Sequence, residues 1–295
     1  MKKWILVVAA LAGLFYWTWT YVSTPWGDQK VDYVPAKQEC SAAVEKTAFR
    51  YCVHTAVQGV NGDVAYFLHG RNLDEQIWND DTFYTAMIQK YWAEQNVKPP
   101  TVVTISFGPI WLLAQKNSAE RSGLLEVFLN EVIATVEKKT GEPRRRIVFG
   151  ESMGGLNTAL LVLRSPKTFV KAAMICPGLY KGSPFDSLSA FKDMITRTGA
   201  KPTIIFGIRK LAQMHFPTAR DWDETAPFKL LETVDVQAMP ELFLTNGLYD
   251  AYGNFEGTEA FAKRAIERGI KTKWRPAYGG HCAIDIPSVA DFLVE

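Results

Sequence analysis

The chain has 295 residues, of which 47% are hydrophobic, 13% aromatic and 22% charged, with a formal net charge of +2. That composition excludes a disordered chain, which could not bury enough apolar surface to offset the entropy of folding. The near-balanced charge excludes a nucleic-acid binder that works through a broad basic face, and the length allows one large domain or two small ones.

The N-terminus differs from the rest. Lys2 and Lys3 precede Trp4–Val22, 19 residues without a charge, about the length that crosses a bilayer core as a helix. Trp17, Trp19 and Tyr21 gather at its far end, where amphipathic rings favour the headgroup region. Positive charge ahead of the span leaves the N-terminus in the cytoplasm and the body outside it, periplasmic or extracellular. Residues 1–23 are therefore expected to be an uncleaved membrane anchor. The alternative is a signal peptide cut near Ala10-Leu11-Ala12 and a secreted protein, but that cut leaves a hydrophobic, Trp-rich new terminus. Residues 24–39, with Pro25 and Pro35, read as a linker. Cys40 and Cys52 lie on two short strands around a turn and can pair in an oxidising compartment. Cys176 and Cys282, at the ends of predicted strands, read as separate buried thiols, and no spacing matches a zinc site.

From residue 40 to 295 the pattern is strand–helix alternation. Val64–Leu68 is a continuous apolar run ending at His69-Gly70, and Ile77–Gln95 has helical periodicity closed by Pro99-Pro100. Thr101–Phe107 is the next strand and Ala119–Lys139 a long amphipathic helix. Arg146–Phe149, a helix over Leu156–Leu163 and a strand over Phe169–Ile175 follow. Regularity then stops, and residues 179–238 are expected to form a helical cap insertion. It resumes with a strand at Glu241–Thr245, a helix at Gly257–Arg268, a short strand at Lys273–Pro276 and a closing helix at Ile286–Val294. Such alternation predicts an α/β fold, a mostly parallel sheet with helices on both faces.

Gly150-Glu151-Ser152-Met153-Gly154 stands between an apolar β-branched strand and a helix, the setting of a nucleophile elbow. Gly150 and Gly154 keep bulk away from a tight turn, and the helix start aims its free N–H groups at a developing oxyanion. A serine hydroxyl needs a base. Of the four histidines, His54, His69 and His215 precede the late loop or lie in the expected cap. His281, after Gly279-Gly280, fits the chain order Ser–acid–His. The orienting acid is then Asp250, just past a strand end, with Asp285 as runner-up and Asp223 and Glu232 further from fitting. The backbone N–H groups of Met153 and Arg71 are the expected oxyanion donors, Gly70 giving the backbone room to approach. Phe107, Pro109, Trp111 and Leu112 are core residues or the lining of an acyl pocket, and the cations at Lys138-Lys139 and Arg144–Arg146 read as a solvated helix end.

Tyr66-Phe67-Leu68-His69-Gly70, Gly150-Glu151-Ser152-Met153-Gly154-Gly155, Asn246-Gly247-Leu248-Tyr249-Asp250 and Gly279-Gly280-His281 together resemble the putative-esterase (esterase D-like) family of α/β-hydrolases. That family includes feruloyl esterases, siderophore esterases and mycobacterial mycolyltransferases. The resemblance implies an α/β-hydrolase fold and a Ser-His-Asp serine hydrolase that cleaves carboxylic esters through an acyl-enzyme. Its substrate would be a small-molecule, lipid or polysaccharide ester. An acyltransferase or peptidase using the same serine, or a binding protein that has lost catalysis, stays open at this point. No Walker loop, dinucleotide fingerprint or metal cluster is present, so no cofactor is expected.

Overall fold

The computed structural model describes residues 9–14, 16, 30–44, 47–114 and 123–295. Among them no helix is long and apolar enough to cross a membrane. The Trp4–Val22 span lies largely outside the described residues, of which 9–14 and 16 are helical.

The strands are β1 (Lys37–Val44), β2 (Ala48–Thr55), β3 (Val64–Leu68), β4 (Thr101–Ser106), β5 (Arg146–Glu151), β6 (Lys171–Ile175), β7 (Glu241–Thr245) and β8 (Thr272–Trp274). They form one sheet in the order β1-β2-β4-β3-β5-β6-β7-β8. β1 and β2 are antiparallel to their neighbours, and every pair from β4 to β8 is parallel. The parallel strands read as unbroken apolar runs because both faces are covered, and β3 and β6 are buried at every position.

Alternation splits the side chains between two cores. Tyr66, Leu68, Val148, Met174 and Leu244 face one core, and Phe67, Phe149, Ala173, Ile175 and Phe243 the other. The first core is covered by α3 (Met153–Arg164), α8 (Asn254–Glu267) and the helix over residues 124–140, here α2, which has a π turn at Phe128–Val132. The second is covered by α1 (Tyr84–Glu94) and α9 (Ile286–Val294). Phe67 and Phe149 stack there at 4.7 Å under the edge of Trp78. Truncating either Phe would cost about 3–5 kcal/mol.

The helix expected over Ile77–Gln95 is broken. A 3-10 turn at Ile77–Asn79 stops before α1 because the Asp80 carboxylate accepts the N–H and hydroxyl of Thr82, competing with helical bonding. α8 begins three residues ahead of the expected Gly257, after Gly253 in the left-handed region. Between β6 and β7 the chain forms α4 (Leu188–Thr198), α5 (Pro202–His215), α6 (Ala219–Asp223) and α7 (Pro227–Thr233).

Candidate active site

Ser152 joins β5 to α3 with φ 50° and ψ −110°, a conformation that is costly for a residue with a Cβ. The elbow tolerates no bulk around it. A Cβ on Gly150 would lie 2.5 Å from the Gly154 backbone, and one on Gly154 would collide with the carbonyl of Leu68. The turn is also pinned to the sheet, with Ser152 N–H donating to the Ile175 carbonyl at 2.9 Å and Gly178 N–H to the Ser152 carbonyl at 3.0 Å.

Three of the predicted site residues meet here. His281 Nε2 lies 3.1 Å from Ser152 Oγ, and His281 Nδ1 lies 3.0 and 3.1 Å from the two Asp250 oxygens. The Asp250 side chain is fully buried, so its charge is screened little by water. Its Oδ1 also accepts the Tyr252 N–H at 2.8 Å. With an acidic partner on Nδ1, the neutral ring keeps its proton there and presents a bare Nε2 to the serine. The Tyr252 ring stacks on His281 at 4.0 Å and fixes the imidazole plane. Asp285, the runner-up acid, caps α9 and bonds Ser288 instead.

The loop after β3 is held from two sides. His69 is buried, and burial lowers its pKa, so the ring is neutral. Trp111 Nε1–H donates to His69 Nε2 at 3.3 Å, which leaves the proton on Nδ1 to donate to the Gly70 carbonyl at 2.7 Å. That carbonyl belongs to the peptide whose N–H is Arg71's, so the contact sets the direction of the Arg71 N–H. On the other side, Gly70 N–H donates to Glu151 Oε1 at 3.3 Å. A Cβ on Gly70 would stand 2.8 Å from that oxygen, so only glycine lets the carboxyl so close. Glu151 is buried, which pushes its pKa up to about 8 against the opposing bond from Gly70 N–H. Met153 N–H, in the first turn of α3, has no intrahelical partner.

Sequence reasoning passed over Tyr252 and gave Glu151 and His69 no role of their own beyond their places in the two motifs. The signal for Glu151 was its place inside the elbow motif. The cysteine reading is corrected. Cys176 and Cys282 are not separate thiols but a disulfide, beside the one joining Cys40 to Cys52. The parallel sheet places the end of β6 next to the elbow, and the late loop folds back over both, so residues 106 apart in sequence meet. Both Cys176 and Cys282 have positive φ, 41° and 59°. Two disulfides belong to an oxidising setting, periplasmic or extracellular. Trp111 is core, whereas Leu112 lines a cavity of about 510 Å³ that opens on Ser152.

A family model described as "Putative esterase" matches residues 50–230, more than half of the chain. A comparison with curated proteins found no match. Among solved structures, the fluorophosphonate-binding serine hydrolase F of Staphylococcus aureus is 17% identical, with TM-score 0.60 over 89% of this chain and 100% of that one. A ferulic acid esterase is 16% identical, with TM-score 0.59 over 88% and 95%. An S-formylglutathione hydrolase from Agrobacterium tumefaciens is 13% identical, with TM-score 0.57 over 90% and 94%. At these identities the likeness is one of fold. The chain belongs to the esterase family of that description and is a carboxylic-ester hydrolase on the α/β-hydrolase fold.

Proposed function

We propose that the enzyme cleaves its ester through Ser152 as nucleophile, His281 as general base and Asp250 as the group that orients and stabilises the imidazolium. The observation that carries this reading is the unbroken hydrogen-bonded chain from Ser152 Oγ through His281 to buried Asp250, with the serine held at positive φ. His281 Nε2 takes the hydroxyl proton as Oγ attacks the carbonyl carbon. The resulting oxyanion is held by the backbone N–H groups of Met153 and Arg71, which need no reorganisation as charge develops. His281 returns the proton to the leaving alcohol as the C–O bond breaks, and the acyl group stays on Ser152. Water, deprotonated by the same ring, then attacks the acyl-enzyme, and the ring passes that proton to Ser152 Oγ as the acyl–oxygen bond breaks and the acid leaves. Mixing enzyme with excess p-nitrophenyl acetate should give a burst of one p-nitrophenol per chain where deacylation is the slower step, and Ser152→Ala should give none. A full-rate turnover by Ser152→Ala would sink the reading.

The domain reading fits the same scheme. The hydrolase domain, expected over 40–295, starts at Lys37 with β1; the helices within about 179–238 act as the cap, residues 24–36 are the linker and 1–23 tethers the enzyme to a membrane without being cleaved. An uncharged run behind two lysines supports the tether. Edman sequencing of protein isolated from washed membranes should begin at Met1, and a soluble protein beginning near Gly13 would refute the tether.

A further inference from the structure

The chemistry above leaves unused a cavity of about 510 Å³ beside Ser152. Its walls come mainly from the segment between β6 and β7. On α5, Ile205, Ile208 and Ala212 recur at helical spacing and form one stripe facing the cavity, and Phe191 and Met194 on α4 face it from across. These helices pack thinly. α4 fully buries none of its residues and α5 only Ile205. Two apolar stripes are therefore only half covered by protein, and what they face is empty space contiguous with the nucleophile.

The charged groups on the walls are largely engaged elsewhere. Arg197 and Lys181 pair with Glu256. Arg209 donates to the carbonyls of Pro184 and Asp186 and stacks 4.5 Å over Phe191. The interior thus offers a ligand apolar surface, the usual composition of a site that binds by burial. Which half of the ester it takes follows from the lining. Ser152 and Met153 line the cavity, while His281, which must face the leaving alcohol, does not. The part of the substrate that enters is then the acyl half.

We infer that the enzyme selects esters of extended aliphatic acids, the acyl chain lying between α4 and α5 while the alcohol stays outside on the His281 side. This rests on Ser152 being the nucleophile. Burial of each methylene in such a slot corresponds to about a fourfold gain in kcat/KM when it is expressed in the transition state. Flexible Met194 and the branched side chains of α5 suit a chain that bends more than a flat aromatic ring.

The experiment compares two substrate series below their aggregation concentrations. In p-nitrophenyl esters from acetyl upward, kcat/KM should rise about fourfold per methylene over the first several carbons and level off when the slot is full. In alkyl acetates of growing alcohol it should stay nearly flat. Ile208→Trp should erase the gain on long acyl chains, so that their kcat/KM falls to about that of p-nitrophenyl acetate. If Ile208→Trp loses acetate turnover as well, Ala212→Leu, a smaller intrusion, should still shorten the preferred chain. A flat acyl series, a preference for aromatic acids, or a gain confined to the alcohol side overturns the inference while the Ser152 chemistry stands. Wild-type protein that cleaves no ester and gives no burst overturns both.

Discussion

The two disulfides sit in regions that use the same bond differently. Cys40–Cys52 joins register partners on antiparallel β1 and β2, 12 residues apart, at the edge of the sheet. Cys176–Cys282 spans 106 residues and ties the end of β6 to the residue after His281. At the edge the ladder of β1 and β2 already sets the register, so the bond chiefly restricts the unfolded chain, a contribution of about 3 kcal/mol for a loop of that size. At the site the bond closes a much larger loop, for which the same entropy argument gives nearer 5 kcal/mol. It also fixes a position. The bond anchors the His281 loop, whose Gly279 carbonyl also accepts the Tyr249 N–H, to the strand that accepts the Ser152 N–H. Both bonds thus stabilise the fold, and the one at the site also sets geometry.

The sharpest break of that contrast lies in the chain of three side chains. His281→Ala should lower kcat by on the order of 10^4-fold to 10^6-fold with little change in Tm, and adding Ser152→Ala should cost little more, because the groups act as a unit. Asp250→Asn should cost roughly 10^4-fold, since a neutral partner leaves the ring in the wrong tautomer. Stopped assays at substrate saturation on purified variants check all three.

Next in size is the site disulfide. Cys176→Ser/Cys282→Ser should lose about a hundredfold in kcat at temperatures where it is folded, the penalty for a base displaced by about 1 Å, with KM changed far less. An unchanged kcat beside a lowered Tm would reduce this bond to the same role as the edge one. Cys40→Ser/Cys52→Ser should lose stability alone. Denaturant unfolding should report a loss of about 3 kcal/mol, and kcat should not move.

The smallest effect concerns Glu151. Its pKa is raised to about 8 in the folded chain from 4.5, so the native state binds this proton more tightly than the unfolded state does. The stability it contributes is complete below pH 4.5 and is lost as pH rises through about 8. Buried His54 and His69 act in the opposite sense, since their lowered pKa values make stability fall as pH drops below 6.5. An unfolded histidine is about nine-tenths neutral by about pH 7.5, so the range from about pH 7.5 to 8 reports chiefly on Glu151. Wild-type unfolding free energy should decline across it, and Glu151→Gln should flatten the decline while keeping an acceptor for Gly70 N–H. A slope that survives the substitution would assign the titration to another group.

Much of the site was readable because its residues are coded locally. Ser152 sits in a motif whose glycines are dictated by contacts with Leu68 and Gly154, and chain order singled out His281 and Asp250, which lie in hydrogen-bond reach of it in turn. The sheet was readable because buried parallel strands such as Val64–Leu68 are apolar at every position. What stayed hidden depends on contacts made at a distance. The Cys176–Cys282 bond requires the late loop to fold over β6, which no spacing encodes. Glu151 shows its purpose only when Gly70, 81 residues earlier, comes within hydrogen-bond reach. Periodicity ran straight through Asp80–Phe83 because a side chain that competes for backbone N–H groups leaves the apolar pattern intact.

The central claim, that Ser152 is the nucleophile of an ester hydrolase, is tested most directly by the site of a covalent adduct. The wild-type enzyme is treated with a fluorophosphonate, digested, and the modified peptide sequenced by tandem mass spectrometry. The account predicts one phosphonyl group per chain, on Ser152, with loss of esterase activity in proportion to labelling and a rate of labelling that collapses in His281→Ala. An adduct on any other residue accompanying full inactivation, or an enzyme that stays active with Ser152 fully modified, would contradict it.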